Sequence, residues 1–210
     1  MTDDAALLEA WRSGDVDAGE SLFERYYESI VWFFHNKVVD GIEDLVHQTF
    51  TACVEGRDRM RSASSFRAYL FGAAHNILRV HLRKLAGARR LVDFSEVSVQ
   101  DIAPGPSSVV ARHREQQLLL EALRALPVDY QVLLELRYWE DLKTIEIAES
   151  FAEPHSTIRS RLQRAHALLE QQMARLAQSP DLLRSTLDNF DAWVRDCRGR
   201  HEAAAIDHDD

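Results

Sequence analysis

The feature that most constrains this fold is a pair of short helical patterns, at about 142–151 and 155–175, that only a few residues separate. Apolar residues recur in each pattern at the three- or four-residue spacing that places them on one face of a helix. Pro154 lies between the patterns and suits the first turn of a helix, where its missing N–H costs little. Two helices joined this closely can cross steeply, which predicts a helix-turn-helix arrangement.

The second helix of this pair concentrates positive charge in an acidic chain. Residues 155–175 hold 4 basic and 1 acidic side chains, although the formal charge of the whole chain is −9. Small hydroxyl side chains allow close approach to DNA, and arginine supplies forked donors for phosphate or guanine. The sequence therefore predicts a helix that enters a major groove. The predicted DNA-contacting residues of this helix are His155, Ser156, Thr157, Arg159, Ser160, Arg161 and Arg164.

A second cationic segment lies earlier in the chain. Residues 57–90 hold 9 basic and 1 acidic side chains. Two such segments can bind phosphate while the acidic remainder limits indiscriminate binding. The alternative for each segment is an ordinary solvated helix face.

Helical periodicity extends over most of the chain, which predicts an all-α fold. Earlier patterns cover Glu20 to Val39, Glu43 to Glu55 and Phe66 to about Lys84, and we expect Tyr27, Val80 and Ile145 among the apolar residues on buried faces. Residues 86–112 lose the periodicity and contain Pro104, Gly105 and Pro106, which interrupt helices. We predict two small helical domains joined by a flexible linker, the second being a helix-turn-helix of winged-helix-like type, followed by a helical tail. The predicted boundaries are 1–88, 89–112, 113–176 and 177–210.

Several classes of protein do not fit this sequence. No apolar stretch approaches the roughly 18 to 20 residues that span a bilayer, and the N-terminus lacks a signal core, so we expect a cytoplasmic protein without membrane insertion. Cys53 and Cys197 suggest two reduced thiols rather than a disulfide framework. The chain has no metal-binding spacing, phosphate loop or nucleophile elbow, so we expect no cofactor and no enzymatic activity.

Two blocks of the sequence resemble the extracytoplasmic-function (ECF) subfamily of bacterial RNA polymerase sigma factors. LPVDYQVLLELRYWEDLKTIEIAESFAEPHSTIRSRLQRAHALL is similar to the domain of that family that recognises the −35 promoter element, and EDLVHQTFTACVEGRDRMRSASSFRAYLFGAAHNILRVHLRK is similar to its N-terminal domain. The blocks occur in the family's order, and the resemblance covers roughly residues 7–175. One departure is Ala152 in place of the usual glycine of the turn, which predicts a strained or rearranged turn.

The resemblance implies a role for residues of the N-terminal domain. Glu43, Asp44 and Gln48 would face the clamp helices of the polymerase largest subunit. The loop after Gly56 and the helix that follows would bind the −10 element, where Phe66 and Tyr69 either build a base pocket or pack in the core. The implied −10 residues are Arg57, Arg59, Arg61, Phe66, Tyr69, Asn76, Arg79, Arg83 and Lys84.

The implied function is that of a sigma factor, which directs core RNA polymerase to specific promoters and promotes transcription initiation. Its partners would be core polymerase and promoter DNA, and an anti-sigma factor or other regulator is left open. The competing hypothesis is a helix-turn-helix regulator that binds DNA without core polymerase. The cationic segment 57–84 argues against that hypothesis, because a repressor needs no strand-opening domain.

Overall fold

A computed structural model describes residues 3–60, 64–87, 92–102 and 114–188, and over these residues the chain is helical. The α-helices are α1 (Asp4–Arg12), α2 (Val16–His35), α3 (Ile42–Gly56), α4 (Ser64–Leu85), α5 (Val99–Ile102), α6 (Arg114–Arg124), α7 (Val128–Tyr138), α8 (Thr144–Phe151), α9 (His155–Leu176) and α10 (Pro180–Asp188), with a 3-10 turn at Arg57–Arg59. None of the helices in these segments is long and apolar enough to cross a bilayer.

Helices α1 to α4 form the N-terminal domain around a core of aromatic and aliphatic side chains. Leu22, Phe34 and Leu70 have no exposed surface in this core. The short helix α1 was not predicted; its Asp4 carboxylate accepts hydrogen bonds from Arg25 and Tyr26 of α2. That paired carboxylate, together with the buried residues of α1, fixes the start of the chain on the domain.

Helices α6 to α9 form the second domain, and α10 packs on α6. Helix α7 begins immediately after Pro127, whose extended backbone suits the residue before a helix. The core of this domain consists of fully buried aliphatic residues, including Leu119, Leu133 and Ile147. The Ser185 hydroxyl donates a hydrogen bond of 3.1 Å to Glu115, so α10 is an addition to the outer side of α6.

Part of the predicted linker is packed against the second domain. The N–H groups of Asp129 and Val128, at the start of α7, donate to the carbonyl oxygens of Phe94 and Val97 at 3.1 and 3.0 Å. The side chain of Phe94 is completely buried. Residues 92–102 are therefore held at the N-terminus of α7, whereas the prolines of the predicted linker lie outside the described residues.

The two domains touch along one face of α4. The Phe151 ring at the end of α8 stacks on the His75 ring, with centroids 4.5 Å apart and planes inclined by 22°. Gly72 allows the Ser150 backbone to approach, since a Cβ at that position would lie 3.0 Å from the Ser150 carbonyl oxygen. We call this region, together with the pairs Lys37–Glu135, His75–Asp129 and Arg124–Asn36, the interdomain contact.

Three residues predicted to be buried are exposed. Val80 and Ile145 are each 48% exposed and Tyr27 is 46% exposed. On α4 the buried stripe runs through Leu70, Ala74 and Leu78 to Leu82, and Val80 lies outside this stripe. Phe71 and His75 of the same helix are also buried, where α4 meets the second domain.

Candidate nucleic-acid interface

The helix pair α8–α9 presents one side of α9 to solvent because the other side is anchored in the core. Ile158 and Ala165 have no exposed surface, and Leu162 and Leu169 are also buried. These four residues recur at the predicted three- or four-residue spacing, which confirms the periodicity of this helix. Since the anchored face is fixed, the orientation of the opposite face follows from it.

The opposite face carries the cations and hydroxyl groups that the sequence indicates. His155, Ser156, Arg159, Ser160 and Arg164 are exposed, and Thr157 and Arg161 are half-buried. Arg161 pairs with Glu153 at 2.6 Å, so its charge is partly neutralised within the domain. Neither Arg159 nor Arg164 forms an ion pair with any described residue. These two arginines are therefore available to an anionic partner.

The turn between α8 and α9 confirms the expected strain at Ala152. This residue has φ +52° and ψ +38°, the left-handed conformation that glycine adopts without steric cost. The next residue, Glu153, donates its N–H to Ala148 at 3.0 Å, which closes the end of α8. Pro154 precedes α9 instead of lying in its first turn, a small correction to the sequence prediction.

Replacement Ala152→Gly should stabilise the folded chain. A non-glycine residue in the left-handed region costs about 1–2 kcal/mol, and the extra freedom of glycine in the unfolded chain offsets about 0.4–1 kcal/mol of the gain. We expect a net gain of roughly 0.5–1 kcal/mol in the free energy of unfolding, measured by urea denaturation. Gly41→Ala is the opposite control, because Gly41 has φ +77° before α3 and an alanine there should destabilise. A destabilised Ala152→Gly variant would contradict the strain.

The beginning of the N-terminal cationic segment contributes to the core as well as to the surface. The Arg57 guanidinium lies over the Trp11 ring at 5.7 Å, and Tyr69 is half-buried with its hydroxyl 3.5 Å from the Ala52 carbonyl oxygen. Phe66 is completely buried and packs on Trp11 and Tyr26. Of the two alternatives that the sequence left open for Phe66, the structure has the ring in the core, enclosed by Trp11 of α1 and Tyr26 of α2.

The C-terminal part of the N-terminal cationic segment is more exposed to solvent. Asn76, Arg83 and Lys84 are exposed on α4. The guanidinium groups of Arg79 and Arg83 each lie 5.2 Å from the centre of the Phe94 ring, so residue 94 of the linker segment partly covers them. The side chain of Arg59 and all of Arg61 lie outside the described residues.

The predicted polymerase-facing residues lie at the start of α3. Glu43, Asp44 and Gln48 are all exposed, and the two acids lie in the first turn, where the helix dipole favours negative charge. Beside them is a groove of about 590 Å³ between α2 and α3. The groove is lined by Phe23, Glu24, Tyr27, Glu28, Glu43, Val46, His47 and Phe50.

Two carboxylates lie between the cationic surfaces of the two domains. His75 Nε2 is 3.1 Å from Asp129 Oδ1. Burial raises the pKa of Asp129, but its hydrogen bond with His75 and the charges of His75, Arg79 and Arg161 outweigh burial and lower that pKa below its usual value. Asp129 is thus held ionised between an arginine of α4 and one of α9.

Asp93 is the second carboxylate, and the positive charges of Arg79 and Arg161 act on it as they act on Asp129. Hydrogen bonds from the hydroxyl and the amide of Ser95 lower its pKa, and the charges of Arg79 and Arg161 lower it further. The sequence analysis did not identify either carboxylate, or His75 as the partner of Asp129. Both carboxylates are influenced by arginines of α4 and α9, which are distant in the sequence, so no local pattern indicates them.

The described residues contain no group of three or more histidine, cysteine, aspartate or glutamate side chains placed to hold a metal ion. Burial raises the pKa of the Cys53 thiol to about 12. The thiol therefore stays protonated at neutral pH and is a poor nucleophile.

Comparison with known proteins places this helix-turn-helix in a defined family. Residues 116–169 match the family model described as Sigma-70, region 4, a range that includes most of α6, all of α7 and α8, and residues 155–169 of α9. The RNA polymerase sigma factor HrpL of Pseudomonas syringae pv. syringae is 28% identical over 139 residues, which are 65% of this chain and 76% of the relative.

Longer matches extend the similarity to both domains. The ECF RNA polymerase sigma-E factors of Salmonella typhimurium strain LT2 and of Escherichia coli strain K12 are each 25% identical over 178 residues, covering 80% of this chain and 92% of the relative. The helical architecture, the helix-turn-helix and these matches indicate the same family. The chain belongs to the ECF subfamily of bacterial RNA polymerase sigma factors.

Proposed function

We propose that this chain directs core RNA polymerase to specific promoters, with its surfaces assigned to separate tasks. The exposed face of α9 binds the −35 element in the major groove. The loop after Gly56 and the exposed side of α4 bind the −10 element, and the start of α3 binds the clamp helices of the polymerase largest subunit. The chain itself breaks and forms no covalent bonds.

The observation that carries the proposal is the face of α9. Arg159 and Arg164 are exposed, without an ion-pair partner among the described residues, on a helix whose other side is anchored. Ser156 and Ser160 are also exposed and are small, so the helix axis can approach the floor of a groove. Free N–H groups at the start of α9 add a site for a phosphate.

The −10 assignment is supported by the mixture of cations and an amide on α4. Arg83 and Lys84 supply positive charge for phosphates, and Asn76 supplies both a donor and an acceptor for a base or backbone. With Phe66 in the core, Tyr69 is the remaining predicted aromatic of this site, and it is half-buried. Strand capture at this site therefore rests on polar contacts and on the residues of the loop.

The core-binding assignment is supported by the charge around the α2–α3 groove. Glu24, Glu28 and Glu43 surround an apolar floor that contains Phe23 and Phe50. Such a site fits a basic helix that also carries an apolar side chain, since acids match its charge and the floor accepts the apolar group.

Run-off transcription tests the proposal. Mapping transcription start sites after overexpression identifies a promoter, and the purified chain with core polymerase should then yield transcripts from it that core alone does not. In gel shifts, the chain alone should bind the same duplex weakly, and addition of core should produce a stable complex. Tight duplex binding without core, together with absent transcription, would favour the regulator hypothesis.

A further inference from the structure

Val80 is an exposed apolar side chain in the middle of the side of α4 to which the proposed function assigns the −10 element. Its exposed fraction is 48%. Successive residues of an α-helix are rotated by about 100°, so Val80 lies about 160° around α4 from Leu78 and from Leu82. Both leucines are completely buried in the core. The Val80 side chain therefore points away from the core of its own domain.

Polar and cationic side chains surround Val80 on α4. Asn76 precedes it by four residues and Lys84 follows it by four, so the three side chains form a row at intervals of about 6 Å along the helix. Arg83 lies on the same side, about 60° around the helix from Val80. Asn76, Arg83 and Lys84 are exposed, and α4 contains no aspartate or glutamate. One side of α4 therefore presents an amide, an apolar group and two cations.

Other exposed valines of the described chain have different neighbours. Val39 is followed by Asp40, and Val54 is followed by Glu55. Single exposed apolar residues of this kind are ordinary on protein surfaces. Val80 differs because the charges around it attract an anionic partner, whereas a carboxylate beside the valine repels one. The surroundings of Val80 therefore favour contact with a nucleic acid.

The size of the apolar surface at Val80 also restricts its partner. Leu85 is exposed on the same helix, but it lies about 140° around α4 from Val80, so the two side chains do not form a patch. The core of a protein–protein interface is built from several apolar side chains. A single valine among polar groups fits instead one small apolar group carried by a polar, anionic molecule.

Thymine carries such a group. Its 5-methyl is the apolar feature of the base edges in the major groove, where the other groups are hydrogen-bond donors and acceptors that valine cannot satisfy. A valine in a helix has one strongly preferred χ1 rotamer, so its methyl groups lose little freedom on contact. The chemistry of Val80 thus matches thymine and discriminates against the bases that lack the methyl.

We propose that Val80 is a specificity-determining residue that packs on the 5-methyl group of a thymine in the −10 element. Asn76 and Lys84 contact the DNA on either side of it. This inference rests on the proposed function and adds to it the base that the middle of α4 selects.

A promoter library tests the proposal. The −10 region of a promoter mapped for this chain is randomised, with a barcode in the transcribed sequence, and the transcripts made by the chain with core polymerase are sequenced. Wild type should enrich thymine, on one strand or the other, at a position that Val80→Ala no longer discriminates. The preferences of Val80→Ala at the remaining −10 positions should equal those of wild type.

Uracil in place of that thymine isolates the methyl group, because uracil lacks the methyl and pairs identically. Wild type should transcribe the uracil template roughly threefold to fivefold less efficiently than the thymine template, which is the effect of one buried methyl group. Val80→Ala should transcribe the two templates equally. Val80→Ile keeps a branched apolar side chain and should keep the preference for thymine.

A matched control makes the same substitution at another exposed valine. Val54 on α3 is 52% exposed, and Val54→Ala should retain the full preference for thymine over uracil. Unfolding of α4 does not account for a lost preference in Val80→Ala, since alanine favours the helix more than valine. Helical circular dichroism of each variant should equal that of wild type.

The contradicting results are distinct from failure of the proposed function. If the chain with core polymerase transcribes no member of the library, the sigma-factor function itself fails. If it transcribes with −10 selection but without a thymine preference, or if the uracil template loses as much with Val80→Ala as with wild type, only the role of Val80 is lost.

Discussion

Arg159→Glu combined with Arg164→Glu should abolish promoter-specific transcription while leaving the association with core polymerase intact. Each contact between an arginine and a base edge provides about 1–3 kcal/mol of discrimination, so loss of two weakens promoter binding by at least about 2 kcal/mol, or roughly 30-fold. Both residues are exposed and form no ion pair with a described residue, so the fold should be unaffected. The measurements are run-off transcription and the retention of the variant on core polymerase.

The control for this variant makes the same change of charge elsewhere in the domain. Arg175→Glu with Arg184→Glu alters two exposed arginines on α9 and α10. Arg175 lies 11 residues beyond Arg164, about 16 Å along the helix at about 1.5 Å per residue. The control should transcribe within about twofold of wild type after correction for salt. Equal losses in both variants would show that net charge, and not the face of α9, determines promoter binding.

Glu43→Lys combined with Asp44→Lys should produce the second large effect, a loss of binding to core polymerase. The two carboxylates are exposed at the start of α3 beside the acidic groove, and reversal places repulsive charge against a basic partner. We expect the affinity for core to fall at least about tenfold, equivalent to about 1.4 kcal/mol. Binding of labelled chain to core polymerase, followed by fluorescence anisotropy, measures the effect.

Two comparisons isolate that effect from stability. Lysine in a first helical turn costs about 0.3–1 kcal/mol per residue, so Glu43→Gln with Asp44→Asn removes the charges with a smaller effect on the helix. Glu20→Lys with Glu55→Lys makes the same reversal at exposed positions outside the groove. The neutral pair should weaken core binding by less than the lysine pair, and the distant reversal should leave it unchanged. Unchanged core affinity in the lysine pair would remove α3 from the interface.

The helix-turn-helix could be predicted from sequence because its determinants are local. The spacing of Ile158, Leu162 and Ala165 fixes the buried side of α9, and exposure of Arg159 and Arg164 follows from it. The strain at Ala152 could also be predicted, because helices commonly end in a left-handed residue and Ala152 occupies that position with φ +52°. The residues neighbouring in sequence are therefore enough to predict these features.

The interdomain contact could not be predicted, because it depends on which surfaces meet. The local sequence around Lys37, just after α2, and around His75 on α4 is compatible with exposure to solvent. Both are nevertheless buried, with partners 98 and 54 positions away in the chain. For Phe66 the sequence left two alternatives open, a base pocket or the core, and its ring packs in the core on Trp11 and Tyr26.

The most direct test of separate surfaces for polymerase and promoter is to measure both charge-reversed pairs in the core-binding assay and in run-off transcription. The account predicts opposite results: Glu43→Lys with Asp44→Lys loses core binding, and Arg159→Glu with Arg164→Glu retains core binding but loses selection of the promoter. If the two pairs have the same effect in both assays, the chain does not divide polymerase binding and promoter recognition between α3 and α9.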